Sequence, residues 1–312
     1  MKILVKFILT FALIFLTCVY SVKSQSYISL SFDDPNVTSD EVAGYEAIND
    51  SLLLKLKRNN LTAALFVCGK RVDSPEGNAL INSWNEQGHS ISNHSYDHRN
   101  FGSSKMSFND FKNDFEKNLP LIESQSNYKK RYRFPYLKEG NTKEKIDSCR
   151  EFLKSLGYTN GYVSIDASDW YIDQVLRDSL KANPETDLKG FKEFYIYHIL
   201  ERSRFYDSLA AELTGRKIKH NLLLHYNFIN ALFLEDLIIA LKENNFVLIN
   251  TEDAYTDKVY ESLPNIIPAG ESIIWSLAKE SGRYNDILRY PAEDSPYEEE
   301  KLKYFLNKYS VK

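Results

Sequence analysis

The sequence predicts an α/β protein in which seven strands alternate with helices and close into a (β/α)7 barrel, with a helical insertion and a C-terminal appendage. Three observations carry that reading. Short β-type runs alternate with segments whose apolar residues recur at i, i+3, i+4, the pattern of a parallel sheet covered by helices. Five of the strand ends carry ionisable residues, and a parallel barrel builds its active site at strand C-termini. The 312 residues are 43% hydrophobic and 26% charged, a balance that supports a buried core and rules out a disordered chain. An open doubly wound sheet is the alternative. It more often has a glycine-rich first loop, and here that loop reads Asp33-Asp34-Pro35-Asn36.

At the N-terminus, Lys2 and Lys6 precede the apolar stretch Phe7 to Tyr20, and Val22-Lys23-Ser24 supplies a cleavage site. Residues 1–24 therefore read as a secretory signal peptide. The apolar stretch is shorter than the ~20 residues of a membrane span, and no later run is long enough. The mature chain, from Gln25, is expected to be exported, secreted or periplasmic, with no membrane span. An uncleaved N-terminal anchor is the alternative; a lipid anchor at Cys18 is disfavoured because Thr17 fits a lipoprotein box poorly.

Strands are expected at Tyr27–Phe32, Ala63–Cys68, His89–Asn93, Arg131–Phe134, Gly161–Asp166, Asn221–His225 and Phe246–Asn250. Between them Ala47, Ile48, Leu52 and Leu56 line one helix, and Leu80, Ile81 and Trp84 a second, closed by Gly88. Met106, Phe108, Phe111 and Phe115 line a third. Ile146, Cys149, Phe152, Leu153 and Leu156 line a fourth, stopped at Gly157, and Ala231, Leu234, Ile238 and Leu241 a further helix before the last strand. The barrel is assigned to residues 25–260. Within it, residues 171–220 read as a polar, largely helical insertion packed over the C-terminal rim. Residues 261–312 read as an extension on the barrel, helical at Ile273 to Lys279, with Glu298-Glu299-Glu300 on a solvated helix face. Cys68 and Cys149 lie in apolar settings and read as buried free thiols.

The formal charge is −4, and more negative once Lys2, Lys6 and Lys23 leave with the signal peptide. With no long Lys/Arg run, this argues against a nucleic-acid partner. Asp33 and Asp34 end the first strand. Adjacent strand residues face opposite sides, so both can serve one site only if the chain twists there; a local turn stopped by Pro35 is the bland alternative. His94 and His98 lie four apart, which on a helical turn brings both imidazoles to one cation. Ser95 stands where a metalloprotease would need Glu. With Asp34 they make a two-nitrogen, one-oxygen set that leaves positions for water and substrate, as in catalytic zinc sites; cobalt, nickel or iron suit the same donors. Arg133, Asp169-Trp170 and His225 stand at three more strand ends. Singly each has a structural explanation; their ordered occurrence favours one site. His89, His198 and His220 lack such company and are assigned structural or surface roles.

These segments resemble the polysaccharide deacetylases of carbohydrate esterase family four, whose domain is a distorted seven-stranded barrel. The matching motifs are Ser31-Phe32-Asp33-Asp34-Pro35, His94-Ser95-Tyr96-Asp97-His98, Arg133-Phe134-Pro135-Tyr136, Asp166-Ala167-Ser168-Asp169-Trp170 and Leu223-Leu224-His225, within about residues 26–255. The family usually has Gly where Pro35 stands; Pro should hold Asp34 extended and removes a backbone donor. The resemblance implies a divalent metal, zinc first and cobalt or nickel next, on Asp34, His94 and His98. It implies Asp33 as general base, the Tyr136 amide at the oxyanion, and His225 as the acid that protonates the leaving amine. Arg133 would orient Asp33, Asp169 would tune His225 or pair with Arg133, and Pro135, Tyr136, Trp170 and Leu223 would meet the substrate. The implied function is an exported metal-dependent hydrolase that removes N-acetyl groups from the amino sugars of a chitin- or peptidoglycan-like polysaccharide. O-deacetylation of xylan or another acetylated glycan is the alternative. A non-catalytic carbohydrate-binding barrel is the rival from another class, and it should lack a ligand or the base.

Overall fold

Strand β1 (Ser26–Asp33) is buried on both faces beyond its second residue, as a strand inside a parallel sheet must be. The computed structural model describes residues 25–290 and 292–309, so the expected signal peptide, Cys18 included, lies outside them. Helix α1 (Tyr45–Arg58) returns the chain with Ile48, Leu52, Leu53 and Leu56 inward, and β2 (Ala64–Val67) follows. Helix α2 (Pro75–Glu86) starts where the Ser74 side chain accepts the Gly77 amide, with Pro75 preset in the first turn. After β3 (Ser90–Asn93), α3 (Phe108–Ile122) opens on a Ser107/Asp110 capping box. Next come β4 (Tyr128–Tyr132), β5 (Lys138–Gly140), α4 (Lys143–Ser155) and β6 (Thr159–Asn160). Two helices, α5 (Asp169–Ala182) and α6 (Lys189–Thr214), lead to β7 (Lys219–His225), α7 (Phe228–Glu243) and β8 (Phe246–Leu248). The chain closes with α8 (Thr251–Ala254), β9 (Ala269–Gly270), α9 (Ile273–Ser281) and α10 (Ser295–Tyr309).

The main sheet is parallel, in the order β6-β4-β3-β2-β1-β7, with β8 beside the start of β1. It is curled, and Ile165 bridges to Leu222 of β7, so the chain after β6 links the sheet's two ends. This mostly parallel, curled sheet within a layer of helices is an α/β architecture consistent with a distorted (β/α)7 barrel. A small antiparallel pair, β5 with β9, brings the C-terminal segment to the strand-end face. Among the described residues no helix is long and apolar enough to cross a membrane, and Cys68 and Cys149 are buried and unbridged.

Three segments differ from expectation. Residues 161–166 do not run as a strand; only Thr159 and Asn160 pair with β4. Gly161 lies so close to the Phe66 ring that an added Cβ would sit 2.5 Å from it. Beyond it the backbone bonds go elsewhere: the Gly161 carbonyl accepts from Arg133, and the Asn221 carbonyl takes the amides of both Ser164 and Ile165. Residues 171–220 contribute α6 to the helical layer, where Phe191, Phe194, Tyr195, Ile199 and Tyr206 are buried in the main core against α7, α9 and α10. Glu298, expected on a solvated face, is buried and paired with His198 and Arg289, while Glu299 and Glu300 are exposed.

Candidate active site

Asp33 and Asp34 leave the end of β1 side by side, yet both face one cavity. The reason is backbone: Asp34 adopts φ 62°, in the left-handed region, instead of the extended conformation expected before Pro35. Its amide donates to the Phe66 carbonyl at 3.3 Å, which holds the turn in place. Aspartate is among the few residues that enter this region without large cost, so the flip brings the second carboxylate to the face of the first. Ser95, His98, Tyr136 and Leu137, from two neighbouring strand ends, also have φ between 55° and 69°. Such conformations cost roughly 1–3 kcal/mol each and persist where surrounding structure enforces them.

His94 and His98 turn their Nε2 atoms to these carboxylates. His94 Nε2 lies 4.0 Å from Asp34 Oδ1 and 3.6 Å from Asp33 Oδ2, and His98 Nε2 lies 3.3 Å from Asp34 Oδ2. His94 Nδ1 is 2.9 Å from the Arg133 carbonyl, which fixes its proton there and leaves Nε2 with a lone pair. Burial pushes the His94 imidazole down to about 3 and lowers His98 as well, so both are held neutral. Asp34 Oδ1 is buried without a hydrogen-bond partner. One ligand atom from each of Asp34, His94 and His98 falls within 4.8 Å of the others. Neutral imidazoles, a carboxylate oxygen in need of a partner and an open side suit a divalent cation.

Arg133 is fully buried and stacks its guanidinium 3.6 Å from the centre of the Phe66 ring. Its Nη1 donates to Asp33 Oδ1, its Nε to the Gly161 carbonyl at 2.8 Å, and its Nη2 to Ser31 Oγ at 3.0 Å and Tyr255 Oη at 3.2 Å. Burial raises the Asp33 carboxyl above its ordinary value, against the opposing pull of Arg133. Across the cavity Asp169 pairs with His225, not with Arg133. Asp169 Oδ1 is 2.7 Å from His225 Nδ1, and Oδ2 accepts from the His225 amide at 2.8 Å, Asn227 Nδ2 at 3.1 Å and Asn230 Nδ2 at 2.6 Å. Burial alone would depress the His225 imidazole, but the charge and hydrogen bond of Asp169 raise it to about 9. Asp169 itself is buried, which favours its neutral form, yet His225 and the amide donors hold it below its ordinary value.

Asp33, Asp34, His94, His98 and His225 line one cavity of about 460 Å³ with Tyr136, Trp170 and Leu223 on its wall, while Arg133 and Asp169 stand behind Asp33 and His225. Tyr136 is 57% exposed and its ring packs edge-on against His98; Trp170 is 40% exposed. Pro135, expected to meet substrate, is buried and does not line the cavity; it opens the short helical turn that presents Tyr136. Several cavity or supporting residues carry no local sequence signal. Arg71 reaches Asp34 at 3.4 Å, Tyr255 braces Arg133, and Glu271, Glu293 and Asp294 arrive from the C-terminal segment. Asn227 and Asn230, two and five residues past His225, were the findable ones, because Asn227 also caps α7.

Residues 21–161 match the family model described as polysaccharide deacetylase. No curated protein sequence matches the chain. Among solved structures, a variant of the peptidoglycan deacetylase PdaC from Bacillus subtilis aligns with a TM-score of 0.50 at 20% identity, covering 75% of this chain and 91% of that one. PdaA from Bacillus subtilis, a family 4 carbohydrate esterase, aligns with a TM-score of 0.49 at 20% identity, over 74% and 81% of the two chains. A CE4 family pseudoenzyme from Bacillus anthracis gives 0.49 at 18% identity, over 74% and 66%. The likeness to PdaC is one of fold. Residues 21–161 are thus similar to the polysaccharide deacetylases, and the chain shares the fold of a family 4 carbohydrate esterase over most of its length.

Proposed function

We propose that this protein is an exported, metal-dependent hydrolase that removes N-acetyl groups from amino-sugar residues of a polysaccharide of chitin or peptidoglycan type. The observation that carries the reading is the pairing of opposites across one cavity: Asp33 on Arg133 at one wall, His225 on Asp169 at the other, with Asp34, His94 and His98 between. Asp34, His94 and His98 would hold the metal, zinc being the first candidate. Bound there, a divalent cation supplies Lewis acidity toward the acetyl carbonyl and acidifies a water molecule.

The remaining work falls to side chains. Asp33, poised by burial and oriented by Arg133, takes the proton of the attacking water as its oxygen bonds to the acetyl carbon. The amide of Tyr136, a cavity-lining residue held in a left-handed backbone, is the candidate donor to the developing oxyanion. His225, protonated at neutral pH, gives a proton to the nitrogen as the C–N bond breaks, releasing acetate and a free amine. An amine leaves far less readily than an alkoxide without that proton, so the His225–Asp169 pair supplies what amide cleavage requires. Trp170 and Leu223 form the apolar wall for the acetyl methyl. The chain keeps every group that a carbohydrate-binding barrel without activity would be free to lose.

The test is acetate release from N-acetylglucosamine oligomers and from acetylated xylan, as purified, after chelation and after zinc return. Release from the oligomers that chelation abolishes and zinc restores supports the reading. Preference for xylan moves it to O-deacetylation, and no release with no bound metal overturns it.

A further inference from the structure

Helix α10 lies far outside the matched segment, yet it reaches the loop that carries Asp169 through a chain of buried polar contacts. His198 of α6 is 1% exposed. Its Nε2 accepts the Ser168 amide at 2.9 Å, and its Nδ1 lies 3.1 Å from Glu298 Oε2 on α10. An imidazole nitrogen that accepts an N–H bond carries no proton, so the His198 proton is on Nδ1, directed at Glu298. Ser168 is the residue before Asp169 and Trp170, it is fully buried, and its own hydroxyl has no partner. The His198 bond is thus the side-chain anchor of that turn. Glu298 is held in turn by Arg289 at 2.6 Å, which also bonds Glu293 at 3.1 Å; Glu293 pairs with Arg202 at 2.8 Å and lines the cavity. His198, Glu293 and Glu298 are close enough together to hold a metal ion, but Arg202 and Arg289 already supply positive charge to both carboxylates.

We propose that His198 and Glu298 are positioning residues for the proton-donating half of the site: Glu298 fixes the His198 tautomer, His198 holds the Ser168 amide, and that turn aims Asp169 at His225. The inference rests on the reading of His225 as the proton donor, and it gives the C-terminal helix a part in the chemistry. Its physical basis is tolerance. Asp169 Oδ2 collects three donors while Oδ1 meets His225 at 2.7 Å, so a shift of the Ser168–Asp169 turn breaks several short bonds together. Misplacement of about 1 Å at a reacting group costs on the order of 100-fold in rate.

The test compares His198→Leu with His198→Gln in the full chain. Glutamine can accept the Ser168 amide through Oε1 and donate to Glu298 through Nε2; leucine can do neither. In His198→Leu, kcat for acetate release should fall about 10- to 100-fold with KM within about twofold. The low-field proton signal of the His225 Nδ1–H···Asp169 bond should shift or vanish. In His198→Gln both should stay near the parent values, and zinc uptake should match in all three proteins. A folded His198→Leu protein with parental kcat and an unmoved His225 signal overturns the proposal, as does a His198→Gln protein as impaired as His198→Leu. If His198→Leu does not fold, nitrogen NMR of the unsubstituted protein decides: a neutral His198 with its proton on Nδ1 supports the brace, and a proton on Nε2 overturns it. An inactive parent protein would count against the deacetylase reading alone, because the His225 signal reports on the brace without turnover.

Discussion

Replacing Asp169 with Asn should convert His225, the proposed proton donor, into an ordinary histidine. The geometry fixes how the amide must sit. Oδ2 accepts from the His225 amide, Asn227 and Asn230, so the single carbonyl oxygen of an asparagine is needed there. Its NH2 then faces His225 Nδ1, which must give up its proton and accept. The imidazolium loses both the charge and the hydrogen bond that raise it to about 9, and should fall to the ordinary 6.5 or below. That drop corresponds to about 3 kcal/mol of lost stabilisation of the charged form. At pH 7.5 the protonated fraction alone would shrink about tenfold, and the wrong tautomer should carry the rate loss into the range of about 10²–10⁴ that general acid catalysis supplies. Nitrogen-labelled histidine NMR across pH 5–10, alongside acetate release over the same range, reads both quantities. A His225 value that stays near 9 in Asp169→Asn, or a rate within a few-fold of the parent, would refute the reasoning.

The same pair makes stability depend on pH in a defined direction. His225 is raised in the folded state, so its contribution is complete below about 6.5 and disappears as pH rises through about 9. The thermal midpoint of the parent protein should therefore fall over that window, and that of Asp169→Asn should change less. Arg133→Met should cost about 3–5 kcal/mol in urea unfolding, because it leaves the buried Asp33 carboxylate without its cation; an unaffected midpoint would mean Asp33 is neutral in the folded protein. Tyr255→Phe removes one hydroxyl that Arg133 and Asn221 donate to and that itself donates to the Tyr162 carbonyl. It should cost about 1–3 kcal/mol by the same measurement, and a change under 0.5 kcal/mol would show the hydroxyl to be dispensable.

The alternation of strands and helices and the chemistry at strand ends were readable because both rest on short-range pattern. Asp33, Asp34, His94, His98, Arg133 and His225 each end or follow a strand, Asp169 opens α5, and the fold places all of them at or directly behind the wall of one cavity. What the pattern misled on was local conformation overruled by distant partners. Pro35 argues for an extended Asp34, yet the Phe66 carbonyl, on another strand, holds it left-handed. Residues 161–166 have strand-like composition, but the ladder to β4 ends at the Gly161 amide, because Arg133 takes the Gly161 carbonyl and the Phe66 ring crowds its Cα. Glu298 sits in a run of three glutamates, which reads as solvated; its burial depends on His198, a hundred positions earlier. Tyr255 lies 122 residues from Arg133, and no spacing rule links them.

The pairing of β1 with β7 has a consequence for the order of assembly. Asp33 is in register with His225, and the ladder joins positions such as Ser29 and Asn221 that are 192 residues apart. By contrast β1, β2 and β3, which carry Asp34 and lead into His94 and His98, are neighbours both in sequence and in the sheet. Contacts of long sequence separation form late, because the loop they close must be ordered first. A chain that has folded only its leading strands would thus present the donor atoms for a cation with no imidazolium opposite them. On the proposed function, metal uptake and proton transfer are then separate acquisitions, the second waiting on the docking of a single distant strand.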